Sequence, residues 1–197
     1  IENIGFETIN LGHGSGGELT RNLLDKIIFK TFSNPYLEQK HDGSIVKIEG
    51  EIAISTDSFV ITPIFFKGGN IGSLAVHGTV NDVAMCGAIP KYLSLAFIIE
   101  EGLDVVDFYQ IVKSIKKAAD ESGVLIITGD TKVVERGKGD KIFINTTGFG
   151  EVHPKATISM DNINVGYNVG KVFKNKANLR INANIQNAFT LTKYKGL

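Results

Sequence analysis

Between positions 17 and 152 the apolar residues keep changing their period, and this switching limits the fold more than any other feature of the chain. Leu19, Leu23, Leu24, Ile27 and Ile28 recur at three- and four-residue steps, predicting a helix over 17–32 that Asn34-Pro35 ends. Residues 105–119 give the cleanest helical spacing, through Val105, Phe108, Val112, Ile115 and Ala119. Asp104 stands where it can cap that helix, and Gly123 lies just past its end. Residues 71–86 read as a further helix of small and apolar residues, stopped by Gly87 and Pro90. Strand-like runs occupy 44–61 in two pieces around Glu49-Gly50, then 92–99, 124–128 and 142–152. Helices and strands alternate without a strict βαβ rhythm, which places the chain in the α+β class.

Composition enters through an asymmetry. The 197 residues carry 21 basic and 21 acidic side chains, a balance that gives no argument for nucleic acid or a charged membrane surface. Yet residues 1–155 hold 15 Lys and Arg against 20 Asp and Glu, whereas 156–197 hold 6 against 1. Eight of the 15 asparagines also fall in that last stretch. There Ile163, Val165, Tyr167 and Val169, and later Leu179, Ile181, Ala183 and Ile185, alternate with polar residues or glycine around Lys174-Asn175-Lys176. The pattern reads as a β-hairpin with one apolar face, so the expected division is a body over 1–155 and a β tail over 156–197. One cysteine excludes a disulfide framework and a multi-cysteine zinc site. With no transmembrane-length apolar run and no secretory layout, a cytoplasmic location is expected. The start at Ile1 rather than Met is what a fragment or trimmed start would give.

Four islands interrupt the apolar elements. Gly12-His13-Gly14-Ser15-Gly16-Gly17 precedes the first helix; such glycines let backbone N–H groups wrap an anion beside a helix start. It is neither a Walker A loop nor a dinucleotide fingerprint, and a loose terminal loop explains it equally well. Asp57 follows the run Ile52–Ser55, Asn81-Asp82 lies inside the small-residue helix, and Asp130 follows 124–129 with Lys132 two residues on. Three acids, one lysine and a glycine loop are the parts of a Mg-nucleotide site, since Mg²⁺ binds through one or two carboxylates plus phosphates. Taken singly, each Asp is also an ordinary turn former. His13 is readable as a base, a phosphate donor or an exposed side chain; His77 reads as a packed or interface residue and Cys86 as a small buried hydrophobe.

In order along the chain, residues 11–17 (LGHGSGG), 55–59 (STDSF), 71–88 (IGSLAVHGTVNDVAMCGA), 91–101 (KYLSLAFIIEE), 128–134 (TGDTKVV) and 142–148 (IFINTTG) resemble the N-terminal domain of the HypE family of hydrogenase expression/formation proteins. That family lies in the superfamily of aminoimidazole ribonucleotide synthetase and selenophosphate synthetase, and the likeness covers residues 4–152. It implies a mixed or antiparallel sheet packed with helices, ATP and Mg²⁺ as ligands, and a homodimer formed through the sheet. It also implies an ATP-dependent carbamoyl dehydratase that turns a cysteine-borne thiocarboxamide into a thiocyanate for the iron of [NiFe] hydrogenases. The expected partners are a carbamoyl transferase and an iron scaffold complex. By the match, Asp57, Asp82 and Asp130 hold Mg²⁺, while His13, Gly14, Ser15, Gly16, Gly17 and Asn81 complete the nucleotide site. Asp82 and Lys132 are the residues whose loss should abolish turnover.

Two departures accompany the likeness. The family continues into a second α/β domain ending in the carrier cysteine; here the chain reaches Lys195-Gly196-Leu197 instead, and Cys86 lies too far inside the domain to replace it. Nucleotide binding without complete turnover is therefore expected. Residues 158–197 are similar to the closing strands of a TonB-dependent outer-membrane receptor, which marks the chain as a chimera joined near 153–158. The alternatives are another superfamily enzyme, such as a selenophosphate synthetase or thiamine-monophosphate kinase, and a non-catalytic dimerisation or docking module.

Overall fold

The computed structural model describes residues 4–156. The expected tail over 156–197, with its hairpin and receptor-like strands, lies beyond Ala156, outside the described residues.

The body is α+β, as the alternation of periods predicts. Its chain order is α1 (Glu18–Leu23), a π-helical turn (Leu24–Phe29), α2 (Lys30–Phe32), β1 (Ile52–Phe59), β2 (Phe65–Phe66), β3 (Gly69–Asn70), α3 (Ile71–Met85), β4 (Ala88–Glu100), α4 (Val105–Ser122), β5 (Leu125–Val134) and β6 (Ile142–Val152). Four strands form one mixed sheet in the order β1-β6-β4-β5, and β2 pairs with β3 in a small hairpin. β6 runs antiparallel to both β1 and β4, while β4 and β5 are parallel, joined through α4. Among the described residues β1 and β5 are thus the two edge strands.

Helices α3 and α4 cover one face of the sheet. Phe108, Ile111, Val112 and Ile115 of α4 are fully buried, and Phe108 meets Phe97 of β4 edge-to-face with ring centroids 5.3 Å apart. Asn70 starts α3 by accepting from the N–H groups of Gly72 and Ser73, while Ser73 Oγ accepts from the Asn70 N–H. Gly123 adopts the left-handed conformation past α4, as expected, whereas Asp104 occupies the N-cap position without making a side-chain cap. Among the described residues no helix covers the opposite face of the sheet. Ile54 and Ile98 there are 60% and 44% exposed, with Ile52 and Ile89 similarly open.

Three local expectations need correction. Of the two strand-like runs in 44–61 only the second is a strand; Ser44 instead uses its side chain, donating to the carbonyl of Ile127 on β5. Asp57 lies within β1, opposite Thr146, and Asp130 and Lys132 lie within β5, opposite Ala96 and Ile98. Polar residues continue these strands because pairing with β6 and β4 satisfies their backbone whatever their side chains. Cys86 is exposed at the end of α3, not buried. Among the described residues no helix is long and apolar enough to cross a membrane.

Candidate functional site

The glycine island folds as a tight 3-10 turn, Leu11–Gly14, fixed by its own polar groups. Asn10 Oδ1 accepts from the Gly12 N–H, and His13 Nδ1 accepts from the Asn10 N–H at 3.0 Å. Thr20 Oγ1 accepts from the Gly16 N–H and donates to the Gly12 carbonyl, tying the loop to α1. The ring of His13 is wholly buried, 4.2 Å from that of Phe6, so it faces the interior and not the loop's open side. Burial lowers its pKa, an effect opposed by the Asn10 carbonyl 3.3 Å from Nδ1, which favours the protonated ring, and its Nε2 has no partner among the described residues. Ser15, Gly16 and Gly17 remain exposed. Gly14 presses on β5: a Cβ there would stand 2.5 Å from the backbone nitrogen of Val133, so no side chain fits. The loop is thereby held against the strand that carries Asp130 and Lys132.

Those two residues share the uncovered face of the sheet, next to Ala96 and Ile98. Both are exposed, and neither side chain makes a hydrogen bond or ion pair among the described residues. Beside them runs a segment that sequence reasoning missed. Lys40, His41 and Asp42 border the same cavity as Gly14, Gly16 and Asp130. Thr128 Oγ1 donates to the Asp42 carbonyl at 3.4 Å, while Lys40 pairs with Asp25 at 2.8 Å and sits over the Phe29 ring. The one sequence signal was Asp42-Gly43, a dipeptide that reads as a turn.

Asp57 and Asp82 lie at the other edge. Asp57 is on the helix-covered face of β1, and Ser55, two residues before it, donates from Oγ to Asp82 Oδ2 at 3.2 Å. Gly78 of α3 allows this approach, since a Cβ there would lie 3.7 Å from Asp57 Oδ2 and 2.8 Å from the Phe59 ring. Asp57 Oδ1 accepts from the Ser58 N–H. Asn81, on the same helix, has a buried Oδ1 with no partner among the described residues.

Within one chain, therefore, the three acids do not converge. β1 and β5 are separated by three strand spacings, roughly 14 Å, and Asp57 and Asp130 point to opposite faces of the sheet. Among the described residues no trio of His, Cys, Asp or Glu is grouped to hold a metal ion. The described residues offer two half-sites: a glycine loop sharing a cavity with Asp42 and Asp130, with Lys132 on the uncovered face of the same strand, and the carboxylates Asp57 and Asp82 at the edge formed by β1 and α3.

Residues 40–152, which span both edges, match the N-terminal domain of the AIR synthase related proteins. The chain belongs to that family. Among its relatives, the carbamoyl dehydratase HypE of Azotobacter vinelandii is 48% identical over 160 residues, 81% of this chain and 47% of the relative. A crystal structure of the hydrogenase maturation protein HypE in complex with ATP is similar at a TM-score of 0.72 and 54% identity, covering 73% of this chain and 43% of that one. HypE in a HypE–HypF complex is similar at a TM-score of 0.52 and 50% identity, covering 66% and 42%. This AIR synthase related chain spans about half the length of the curated relatives it matches. The receptor-like reading of 158–197 is supported by none of these matches.

Proposed function

We propose that residues 1–155 are the ATP-binding, dimer-forming part of a carbamoyl dehydratase of hydrogenase maturation, and that they bind Mg-ATP. The observation that supports this reading is the packing of Gly14 on Val133, which holds the glycine loop against the strand that carries Asp130 and Lys132. The ATP complex of a protein 54% identical to this chain supports it. The oxygen donors fit a hard cation: Mg²⁺ takes one or two carboxylates and leaves its other positions to phosphates and water. When bound, it would neutralise the phosphate charge that Asp42 and Asp130 alone would repel.

The chemistry follows from what these groups can do. An amide oxygen leaves poorly; after phosphorylation it departs as phosphate and leaves a nitrile. The protein's share is positioning and charge compensation, with Lys132 facing the transferring phosphoryl and the loop closing over the triphosphate. His13 holds the loop's shape from inside, and Ser15, Gly16 and Gly17 present the open backbone.

A homodimer would reconcile the two half-sites. The uncovered, isoleucine-bearing face suits a second copy, and burying two such faces about a two-fold axis would set the β5 edge of one chain beside the β1 edge of the other. Asp57 and Asp82 of one copy would then complete the site of Asp130 and Lys132 in the other. Mixing tests this. Asp82→Ala and Asp130→Ala should each abolish Mg-ATP binding, whereas co-refolded in equal amounts they should recover about a quarter of the sites. No recovery, with mixed dimers demonstrated by mass, rejects the shared site; ATP binding unaffected by either change rejects the nucleotide reading. The HypE–HypF complex supports a maturation protein as partner; a carbamoyl transferase in that role, with delivery to an iron scaffold as the later step, is what the family resemblance implies. The boundary near 156 is proposed on composition, and comparing the solubility of residues 1–155 with that of the full chain tests it.

A further inference from the structure

Asp57 and Asp82 sit on different elements, β1 and α3, and the spacing between them depends on a third. Both elements lean on β6. Ile144, Thr146, Gly148 and Gly150 of that strand face the helix layer, while Phe143, Asn145, Thr147 and Phe149 alternate onto the uncovered face. Gly148 lets α3 approach closely: a Cβ there would stand 2.8 Å from Val83 Cγ2 and 2.9 Å from Thr79 Cγ2.

Next to that contact lies a buried hydroxyl. Thr146 and Thr79 are both fully inaccessible, and their side-chain oxygens share a hydrogen bond. Thr146 Oγ1 also lies 3.3 Å from the Ala75 carbonyl, which can only accept, so Thr146 donates to Ala75 and Thr79 donates to Thr146. Thr79 precedes Asp82 by three residues, so the two stand about one turn apart on α3. A buried hydroxyl costs free energy unless it is paired, and valine would fill the same space without that cost. What the hydroxyl adds over valine is direction: it fixes α3 along and around its axis on β6.

The same stretch of β6 holds β1 from the other face. Thr56 Oγ1 donates to the Thr146 carbonyl at 3.1 Å, and Asn145 Nδ2 donates to the Asp57 carbonyl and to Ser58 Oγ, each at 3.0 Å. The Ser58 N–H in turn donates to Asp57 Oδ1 at 2.8 Å. Two consecutive residues of β6 thus grip both elements that carry the carboxylates.

Building on the nucleotide reading, we propose that Asn145 and Thr146 are positioning residues for the half-site of Asp57 and Asp82: from one strand they set the place of β1 and of α3, so that the two carboxylates serve one divalent cation bound with the nucleotide. Neither residue touches the cation. Asn145 acts through Asp57, and Thr146 acts through α3 on Asp82. Groups that orient metal-binding side chains are typically worth about tenfold to a hundredfold in metal affinity. A loss of that kind shows as a greater need for the cation, whereas a merely structural defect lowers the amount of competent protein at every cation concentration.

The test measures ATP binding calorimetrically over a range of Mg²⁺ concentrations in the full chain, in Thr146→Val and in Thr146→Ser. Thr146→Val keeps the shape of the side chain and removes the hydroxyl; Thr146→Ser keeps the hydroxyl. The expected result is that Thr146→Val raises the Mg²⁺ concentration for half-maximal ATP binding about tenfold or more, with full binding restored at saturating Mg²⁺, while Thr146→Ser stays near the native value. An unchanged Mg²⁺ requirement in Thr146→Val, a loss that no Mg²⁺ restores, or failure of Thr146→Ser to recover overturns the positioning role and leaves nucleotide binding standing. No Mg-ATP binding by the native chain rejects the nucleotide reading and this proposal with it. Should Thr146→Val not fold, Asn145→Ala, whose lost bonds lie on the half-exposed side of β6, decides by the same titration at native oligomeric mass.

Discussion

The two edges of the sheet are built differently. At β5 the contact that matters is backbone against backbone: the loop at Gly14 sits directly on the main chain of Val133, with no side chain between them. At β1 the helix approaches through side chains, with Gly78 facing the Phe59 ring and Asp82 accepting from Ser55. A main-chain contact cannot yield, whereas the far end of a ring can. The β5 edge should therefore be the rigid half of the site and the β1 edge the adaptable half.

That contrast breaks most visibly at Gly14. In Gly14→Ala the new methyl meets the Val133 nitrogen at 2.5 Å, so the loop must lift from β5. The expected cost is about 1–3 kcal/mol, as for overpacking elsewhere, with loss of ATP binding by calorimetry. Near-native melting and affinity would show that the loop does not need its place on the strand. Gly78→Ala should do much less. Its methyl meets the Phe59 ring, which can turn aside, and removing glycine from a helix interior returns about 1 kcal/mol. A net change within about 1 kcal/mol is expected by chemical denaturation, with ATP binding kept. A larger loss than at Gly14 would reverse the assignment of rigid and adaptable halves.

The smallest expected effect is one of pH. Burial keeps the folded-state pKa of His13 below its ordinary value of 6.5, so the unfolded chain binds the proton more readily. The stability gained from the neutral buried ring is complete above about pH 6.5 and falls as the pH drops from there toward the folded pKa. Melting at pH 7.5 and 5.5 should show a loss at the lower pH that is smaller in His13→Phe, which keeps the ring contact with Phe6 but cannot titrate. An identical loss in both proteins would place the acid sensitivity elsewhere.

Much of this architecture was legible in the residues. The spacing of Val105, Phe108, Val112 and Ile115 marked α4, and Gly123 its end, because a helix buried on one face must repeat its apolar residues every three or four positions. The glycine island and the four polar site residues were recognisable as chemistry. Strand length was not: Asp57, Asp130 and Lys132 were read as lying at or beyond strand ends, yet their strands continue because β6 and β4 supply backbone partners. Asp42 passed unnoticed because its setting depends on Thr128 and Ser44 reaching across to and from β5, more than 80 residues away.

What the sequence by itself determined was the kinds of element and the kinds of chemistry, since period and residue type are local properties that any window of the chain displays. Which carboxylates are neighbours was decided only by the tertiary structure. Strand order put β1 and β5 at opposite edges, and the two-residue alternation of a strand sent Asp57 and Asp130 to opposite faces. The physical reason is that pairing distance across a sheet depends on the order in which strands assemble, and no local pattern along the chain carries that order.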